Sequence, residues 1–233
     1  MRIEIWSDVV CPWCYIGKRH LEQALAAFPH RDHVEIEYRS FELDPGAPQV
    51  PVESTVESLA KKFGTDVAGA RELMARADGA AAAAGLHFHH ADTPHARTVD
   101  AHRLLHLAKA AGRQAELKEA LLAAYFSRGE SMGDHDVLRR VAVETGLDPV
   151  RVDQVLSSDE YADAVAVDIA KARAYGAGGV PFYVVDERYG LSGAQPTEVF
   201  AQVLDRAWAD QHPVLEVVGG AGADACGPDG CAI

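Results

Sequence analysis

The sequence predicts an α/β fold in which a large all-helical block enters between the second and third strands. Three observations carry this prediction. Residues 2–43 read as strand, helix, strand. Residues 53–175 are rich in alanine, leucine, arginine and glutamate, with few strand signals. Strand signals then return at "VPFYVVDE" and lead into a last helix. The expected division is an α/β unit built from 1–48 and 176–212, a helical insertion over 49–175, and a tail over 213–233.

The first strand rests on alternation, with Ile3 and Ile5 set between Arg2 and Glu4. A helix follows from Pro12 to about Phe28, since Leu21, Leu25 and Phe28 recur at helical spacing. Pro12 suits its first turn, where the missing N–H would have had no intrahelical partner. "HVEIEYRSFEL" alternates again through Val34, Ile36 and Tyr38 and predicts a second strand reaching Leu43. "DPGAPQVP" holds three of the chain's 11 prolines and reads as a linker. Beyond it the pattern predicts helices near 53–63, 66–85, 98–111, 113–127 and 134–145, then shorter ones up to Tyr175. Asp134 stands where an N-cap is wanted. "VPFYVVDE" and "RYGLSGA" predict two strands, and "PTEVFAQVLDRAWA" a closing helix opened by a proline. The tail "GGAGADACGPDGCAI" has the composition of a segment that packs little.

Bulk properties narrow the function. Hydrophobic residues make up 48% and charged residues 24%, enough apolar material for a core. A net charge of −13 repels phosphate backbones and anionic surfaces, which argues against nucleic-acid and membrane partners. No apolar run approaches the roughly 20 residues of a bilayer span. "MRIEIWSDVV" has no secretory-signal pattern, so a cytoplasmic location is expected. Four cysteines in two close pairs then suggest redox chemistry or metal binding before a disulfide framework.

The first pair, Cys11 and Cys14, sits at the first strand-to-helix junction. Cys11 falls at the N-cap and Cys14 in the first turn, so the unpaired N–H groups and the helix dipole favour a thiolate at Cys11. Cys14, one turn on, is placed to close a disulfide or to resolve a mixed one. Pro12 and Trp13 between them neither chelate nor ionise, and Trp13 offers an apolar face to a partner. A four-cysteine zinc site with Cys226 and Cys231 is the competing reading, but a strand-to-helix junction is not a zinc-knuckle turn. A permanent structural disulfide gains little from so short a loop. No metal is expected. Pro181, after Val180 in "GAGGVPFYVV", removes a ladder donor at a strand start and leaves neighbouring backbone groups free for an extended partner.

"VVCPWCYIGKRHLEQAL", "RTVDAHRLLHLA" and "GVPFYVVDERYGLSGAQP" together resemble the DsbA-like thioredoxin-fold oxidoreductases. The nearest likeness is to the FrnE-like branch, related to 2-hydroxychromene-2-carboxylate isomerases and kappa-class glutathione transferases. The resemblance runs to about residue 212. It implies a thioredoxin-like fold with a helical insertion, Cys11 as nucleophile, Cys14 as resolving cysteine, and Pro181 as a cis-proline beside them, with Pro12, Trp13 and Val180 in support. The isomerases and kappa transferases usually carry serine at the position of Cys11 and no match to Cys14, so two cysteines fit dithiol–disulfide exchange better. Relatives also open the "TVDAHRLL" helix with Asn-Thr, where this chain has Arg97 before Thr98; an arginine there is a candidate for binding an anionic group.

Cys226 and Cys231, joined by Gly-Pro-Asp-Gly, form a second candidate redox pair that would exchange with the first as an internal shuttle. His87, His89, His90 and His95 are read as a solvated loop near the cleft and His102 and His106 as helix packing; Asp8, three residues before Cys11, is placed to tune its proton transfers, though the ordinary reading is a strand-end acid. The expected function is thiol–disulfide exchange, with glutathione as a candidate electron partner and no bound cofactor. Its substrate would be a disulfide-containing protein or small molecule, and the chain a monomer or homodimer. The alternative is a glutathione-dependent isomerase or transferase acting on small aromatic compounds.

Overall fold

The structure is a computed structural model, and it describes residues 1–213; the pair Cys226 and Cys231 lies outside the described residues. Strand β1 (Arg2–Ser7) leads into helix α1 (Pro12–Ala27), a 3₁₀ turn (Arg31–His33) and strand β2 (Glu35–Ser40). Seven helices follow: α2 (Thr55–Phe63), α3 (Val67–Ala83), α4 (Val99–Ala110), α5 (Gln114–Arg128), α6 (His135–Glu144), α7 (Pro149–Leu156) and α8 (Ala162–Ala174). The chain then returns through β3 (Phe182–Val185), β4 (Tyr189–Ser192) and α9 (Thr197–Gln211). The helical block therefore stands between the second and third strands, as the sequence pattern predicts.

The four strands form one sheet in the order β2-β1-β3-β4. β1 pairs parallel with β2, the arrangement a strand–helix–strand unit requires, and antiparallel with β3, which pairs antiparallel with β4. Because β1 is paired on both edges, five of its six residues are buried. One face carries Ile3, Ile5, Tyr183, Val185 and Leu191, packed on Leu21 and Ala24 of α1 and on Phe200 and Leu204 of α9. The other carries Trp6 and Val184 against Ala172 of α8. A larger core joins α3 to α7 through Leu104, Leu117, Leu121, Phe126 and Leu138, and it also takes in Val9, Tyr15 and Ile16. The start of α1 is thus held by the helical layer as well as by the sheet.

Local chemistry explains most boundaries. The Asp134 carboxylate accepts the Asp136 and Val137 N–H groups at 2.9 and 3.4 Å and caps α6. Ser54 and Glu57 form a reciprocal capping box at α2. The second strand ends at Ser40, short of the expected Leu43. There the Ser40 N–H donates to the Asp168 carboxylate at 2.9 Å and the Leu43 N–H to Asp8 at 2.8 Å. Two side-chain acceptors replace the ladder. Among the described residues no helix is long and apolar enough to cross a membrane.

Candidate active site

β1 ends at Ser7, and a tight turn through Asp8, Val9 and Val10 delivers Cys11 to the N-cap of α1 with extended backbone, φ −92° and ψ 114°. Pro12 occupies the first turn. The Cys14 N–H donates to the Cys11 carbonyl at 3.1 Å, closing the turn that sets the two side chains on one side. Both cysteines are reduced and buried, and their sulfurs face one another. The Val180–Pro181 peptide bond is cis, and the Val180 carbonyl lies 3.5 Å from the Cys11 sulfur. Cys11, Cys14, Val180 and Pro181 are therefore brought together, with Pro12 and Trp13 at the rim. Gly17 is required one turn further on: a Cβ there would stand 2.3 Å from the Tyr183 hydroxyl.

The electrostatics differ from the sequence expectation. The hydrogen bond with Cys14 pushes the Cys11 thiol well above its ordinary value, and burial and the Cys14 charge push it further. Burial also pushes Cys14 up, but the hydrogen bond from Cys11, the Lys118 ammonium, the Ser7 hydroxyl and the Asp8 N–H outweigh it. Cys14 is held below the ordinary thiol value. The helix N-terminus alone would favour a Cys11 thiolate; the hydrogen bond from Cys11 and, after it, the buried Lys118 ammonium favour Cys14 instead. The first proton therefore leaves the pair more readily than from an ordinary thiol, and the second is held more tightly.

Three residues outside the motif surround the pair. Asp8 is fully buried, not an ordinary strand-end acid. Its carboxylate accepts the Val9 N–H at 2.7 Å and the Leu43 N–H at 2.8 Å, and lies 3.2 Å from His102 Nε2. Burial raises the Asp8 pKa, yet His102 and the Leu43 N–H bring it below the ordinary aspartate value. His102 is wholly buried, and its Nδ1 has no hydrogen-bond partner among the described residues. Lys118, on α5, is 1% exposed, and its ammonium donates to the Ser7 carbonyl at 3.4 Å. Sequence reasoning passed over Lys118. The available signal was a lysine on the apolar face of α5, among Leu117, Leu121, Leu122 and Tyr125, all of them buried.

Beside the motif lies a cavity of about 340 Å³ between the start of α1 and helices α2 and α3. Its wall is mainly apolar, from Val10, Pro12, Trp13, Phe63, Leu73 and Met74, and Lys62 and Arg76 lie at its edge. Trp13 is 44% exposed and Phe63 60%. His87 and His89 are exposed, as a solvated loop requires, but His90 lines the cavity and departs from that reading. His90 is buried against Phe126 at 4.8 Å, and burial lowers its pKa to about 4. His95 lies 3.0 Å from Asp44, and Arg97 is engaged by the buried Glu42 at 3.0 Å, so it is not free for an outside anion. Among the described residues no group of three or more histidine, cysteine or acidic side chains is arranged to hold a metal ion.

A sequence profile of the DSBA-like thioredoxin domain matches residues 2–205. The chain belongs to the DsbA-like thioredoxin family. Its architecture is that of the DsbA-like fold, with four strands and, among the described residues, nine α-helices. A probable DsbA oxidoreductase from Streptomyces coelicolor shares 47% identity with a TM-score of 0.86, over 100% of this chain and 99% of that one. The uncharacterized protein YwbO of Bacillus subtilis is 26% identical over 216 residues, 88% of this chain and 96% of YwbO. The fold alone is shared with a cytosolic disulfide reductase, DsbM from Pseudomonas aeruginosa, solved with GSH (14% identity, TM-score 0.62, 89% of this chain and 99% of that one). It is likewise shared with a 2-hydroxychromene-2-carboxylate isomerase (13%, TM-score 0.64, 93% and 100%). A DsbA-like chain with this degree of likeness is an oxidoreductase- or isomerase-type enzyme.

Proposed function

We propose that the protein is a thiol–disulfide oxidoreductase working through Cys11 and Cys14. The observation that carries the reading is the pair itself: two buried thiols facing one another at a helix N-terminus, with the Val180 carbonyl 3.5 Å from one sulfur. The shared thiolate gives Cys11 a proton acceptor in Cys14. Cys11 attacks one sulfur of a substrate disulfide, forms a mixed disulfide and expels the other half as a thiolate. Cys14 then attacks the Cys11 sulfur, closes the intramolecular disulfide and releases the second half as a thiol. Two electrons pass from the dithiol to the substrate. Two glutathione molecules, oxidised to their disulfide, return the pair to the reduced state. A reducing cytoplasm is the compartment in which this direction runs.

Cys11→Ser should lower the rate of insulin disulfide reduction at least a thousandfold, and Cys14→Ser should trap a mixed disulfide visible by mass spectrometry. Undiminished reduction by Cys11→Ser would overturn the reading. The apolar cavity beside Trp13 favours a second reading, a glutathione-dependent isomerase or transferase for small aromatic compounds. Full activity of Cys14→Ser on such a compound, with saturable glutathione binding, would select it.

A further inference from the structure

We infer that Lys118, a side chain of the helical insertion and not of the cysteine motif, is the cation that holds the negative charge of the reduced Cys11–Cys14 pair. It thereby sets how readily that pair gives up its electrons. The inference rests on the proposed thiol–disulfide reading and adds the residue that poises it.

The geometry is that of a buried cation with no carboxylate in contact. Lys118 is 1% exposed, and among the described residues no carboxylate lies within ion-pair distance of its ammonium. Its contacts are the Ser7 carbonyl at 3.4 Å and the face of the Tyr38 ring at 5.8 Å. The nearest acid, Asp8, is already engaged by the Val9 and Leu43 N–H groups and by His102. An ammonium taken out of water without an opposite charge is costly, so its neighbours must supply one. Cys14 is the group placed to supply it: Lys118 donates to the carbonyl of Ser7, the last residue of β1 before the cysteine turn, and the ammonium and the Ser7 hydroxyl both favour the Cys14 thiolate. The cation and the thiolate flank the same residue.

The placement is also rigid. Glu119, the next residue, ties α5 to α1 through Lys18 at 2.5 Å, the Arg19 guanidinium and the Tyr15 hydroxyl at 2.7 Å. Anchoring Glu119 outside fixes Lys118 inside, towards the first turn of α1. The charged and titratable groups facing Lys118 are Cys14 and Lys18 of α1, Cys11 at its N-cap, Asp8 of the preceding turn and Tyr38 of β2. Around the thiols themselves stand Tyr183 of β3 and, through Asp8, His102 of α4. Burial lowers the Lys118 pKa to about 8, and the Cys14, Asp8 and Cys11 charges oppose that fall, Cys14 first.

Oxidation removes the charge Lys118 balances. One thiol and one thiolate become a disulfide, releasing one proton and two electrons, and these reduce the substrate disulfide to one thiol and one thiolate. Without the cation the thiolate is less favoured, the reduced pair loses stability, and the dithiol becomes the stronger reductant. Pro12 and Trp13 have no charge to perform this task, so the insertion performs it.

The test measures thiolate absorbance of the reduced full-length protein as a function of pH, and the equilibrium of Cys11–Cys14 with reduced and oxidised glutathione at pH 7. Lys118→Met and Lys118→Gln remove the charge, the second keeping a donor for the Ser7 carbonyl; Lys118→Arg keeps the charge. Both neutral variants should raise the thiolate midpoint by a unit or more and shift the glutathione equilibrium at least tenfold toward the disulfide, or 29.6 mV. Lys118→Arg should stay within threefold of the parent protein. Asp8→Asn should move the midpoint the other way. If a folded neutral variant keeps the parental midpoint and equilibrium, the inference is overturned. If Lys118→Met does not fold, Lys118→Gln decides on the same two readings. If the parent protein forms no reversible disulfide with glutathione, the functional reading fails, while the thiolate titration still decides the role of Lys118.

Discussion

Two of the regions where the structure buries charge are built differently. On the Trp6 face of the sheet, Arg39 lies 2.5 Å from Glu4, 2.9 Å from Glu37 and 3.0 Å from Asp168. Lys171 reaches Glu4 at 2.9 Å and His106 reaches Asp168 at 3.2 Å. Every buried carboxylate there has a cation in contact. Around the cysteines, among the described residues, Lys118 has no carboxylate in contact and His102 Nδ1 has no hydrogen-bond partner. The first arrangement is saturated and can only hold the fold together. The second lacks such a partner, and under the proposed role of Lys118 a cysteine thiolate supplies it. Saturation separates structural charge from working charge.

Breaking one partner in each region should separate them most clearly. Arg39→Met takes one cation from each of three buried carboxylates, which keep Lys171, Lys109 and His106, so the loss should be about 3 kcal/mol of unfolding free energy, the low end for a broken buried pair, read from urea midpoints. The thiolate titration of the cysteines should not move. Lys118→Met removes a buried charge that has no carboxylate in contact, so the disulfide form should change by about 1 kcal/mol or less while the thiolate midpoint rises. Equal destabilisation by the two substitutions would erase the distinction.

A smaller effect should appear in acid. Burial raises the pKa of Glu4, but the hydrogen bonds from Lys171 and Arg39 bring it below the ordinary value; in Asp168, His106, the Ser40 N–H and Arg39 do the same against burial. A depressed folded pKa contributes stability above the unfolded value of about 4, and that contribution is lost as pH falls through the folded value. Urea midpoints should therefore be insensitive to these groups from pH 7 to 5 and should fall below about pH 4. In Glu4→Gln the protein should be weaker at pH 7 and the acid decline shallower. A parallel decline would place the acid sensitivity elsewhere.

Much of the fold was legible because local signals agreed with the tertiary result. Alternation at Ile3 and Ile5, proline at the start of α1 and the Asp134 cap each report one element, and the observed boundaries of α2 to α6 fall within two residues of the periodic ones. The end of β2 was not legible, because Asp8 and Asp168 capture its N–H groups from elsewhere in the chain. The site divides in the same way. Spacing and junction brought Cys11, Cys14 and Pro181 forward. Asp8, His102 and Lys118 are 94 and 16 residues apart along the chain and meet only through packing, so no short motif announces them. His90 was misjudged for the same reason: a histidine-rich run reads as polar until Phe126 covers one of its members.

The smallest expected effect concerns the rim. Trp13 is 44% exposed, stands between the cysteines and forms part of the cavity wall. Being exposed, it contributes little to the folded state, and Trp13→Ala should change unfolding free energy by no more than about 0.5 kcal/mol. It carries no charge and neighbours no buried cation, so the thiolate midpoint should stay where it is. What it offers is apolar area to whatever approaches Cys11. Losing a partial contact of about 1.4 kcal/mol raises KM roughly tenfold. For an apolar disulfide substrate, KM should therefore rise while kcat stays within about twofold. For a small, fully polar disulfide such as oxidised glutathione, both should hold. A fall in kcat with unchanged KM would mean that Trp13 acts on the chemistry of the pair, and the division between a rim that binds and a buried cluster that poises the thiols would have to be redrawn.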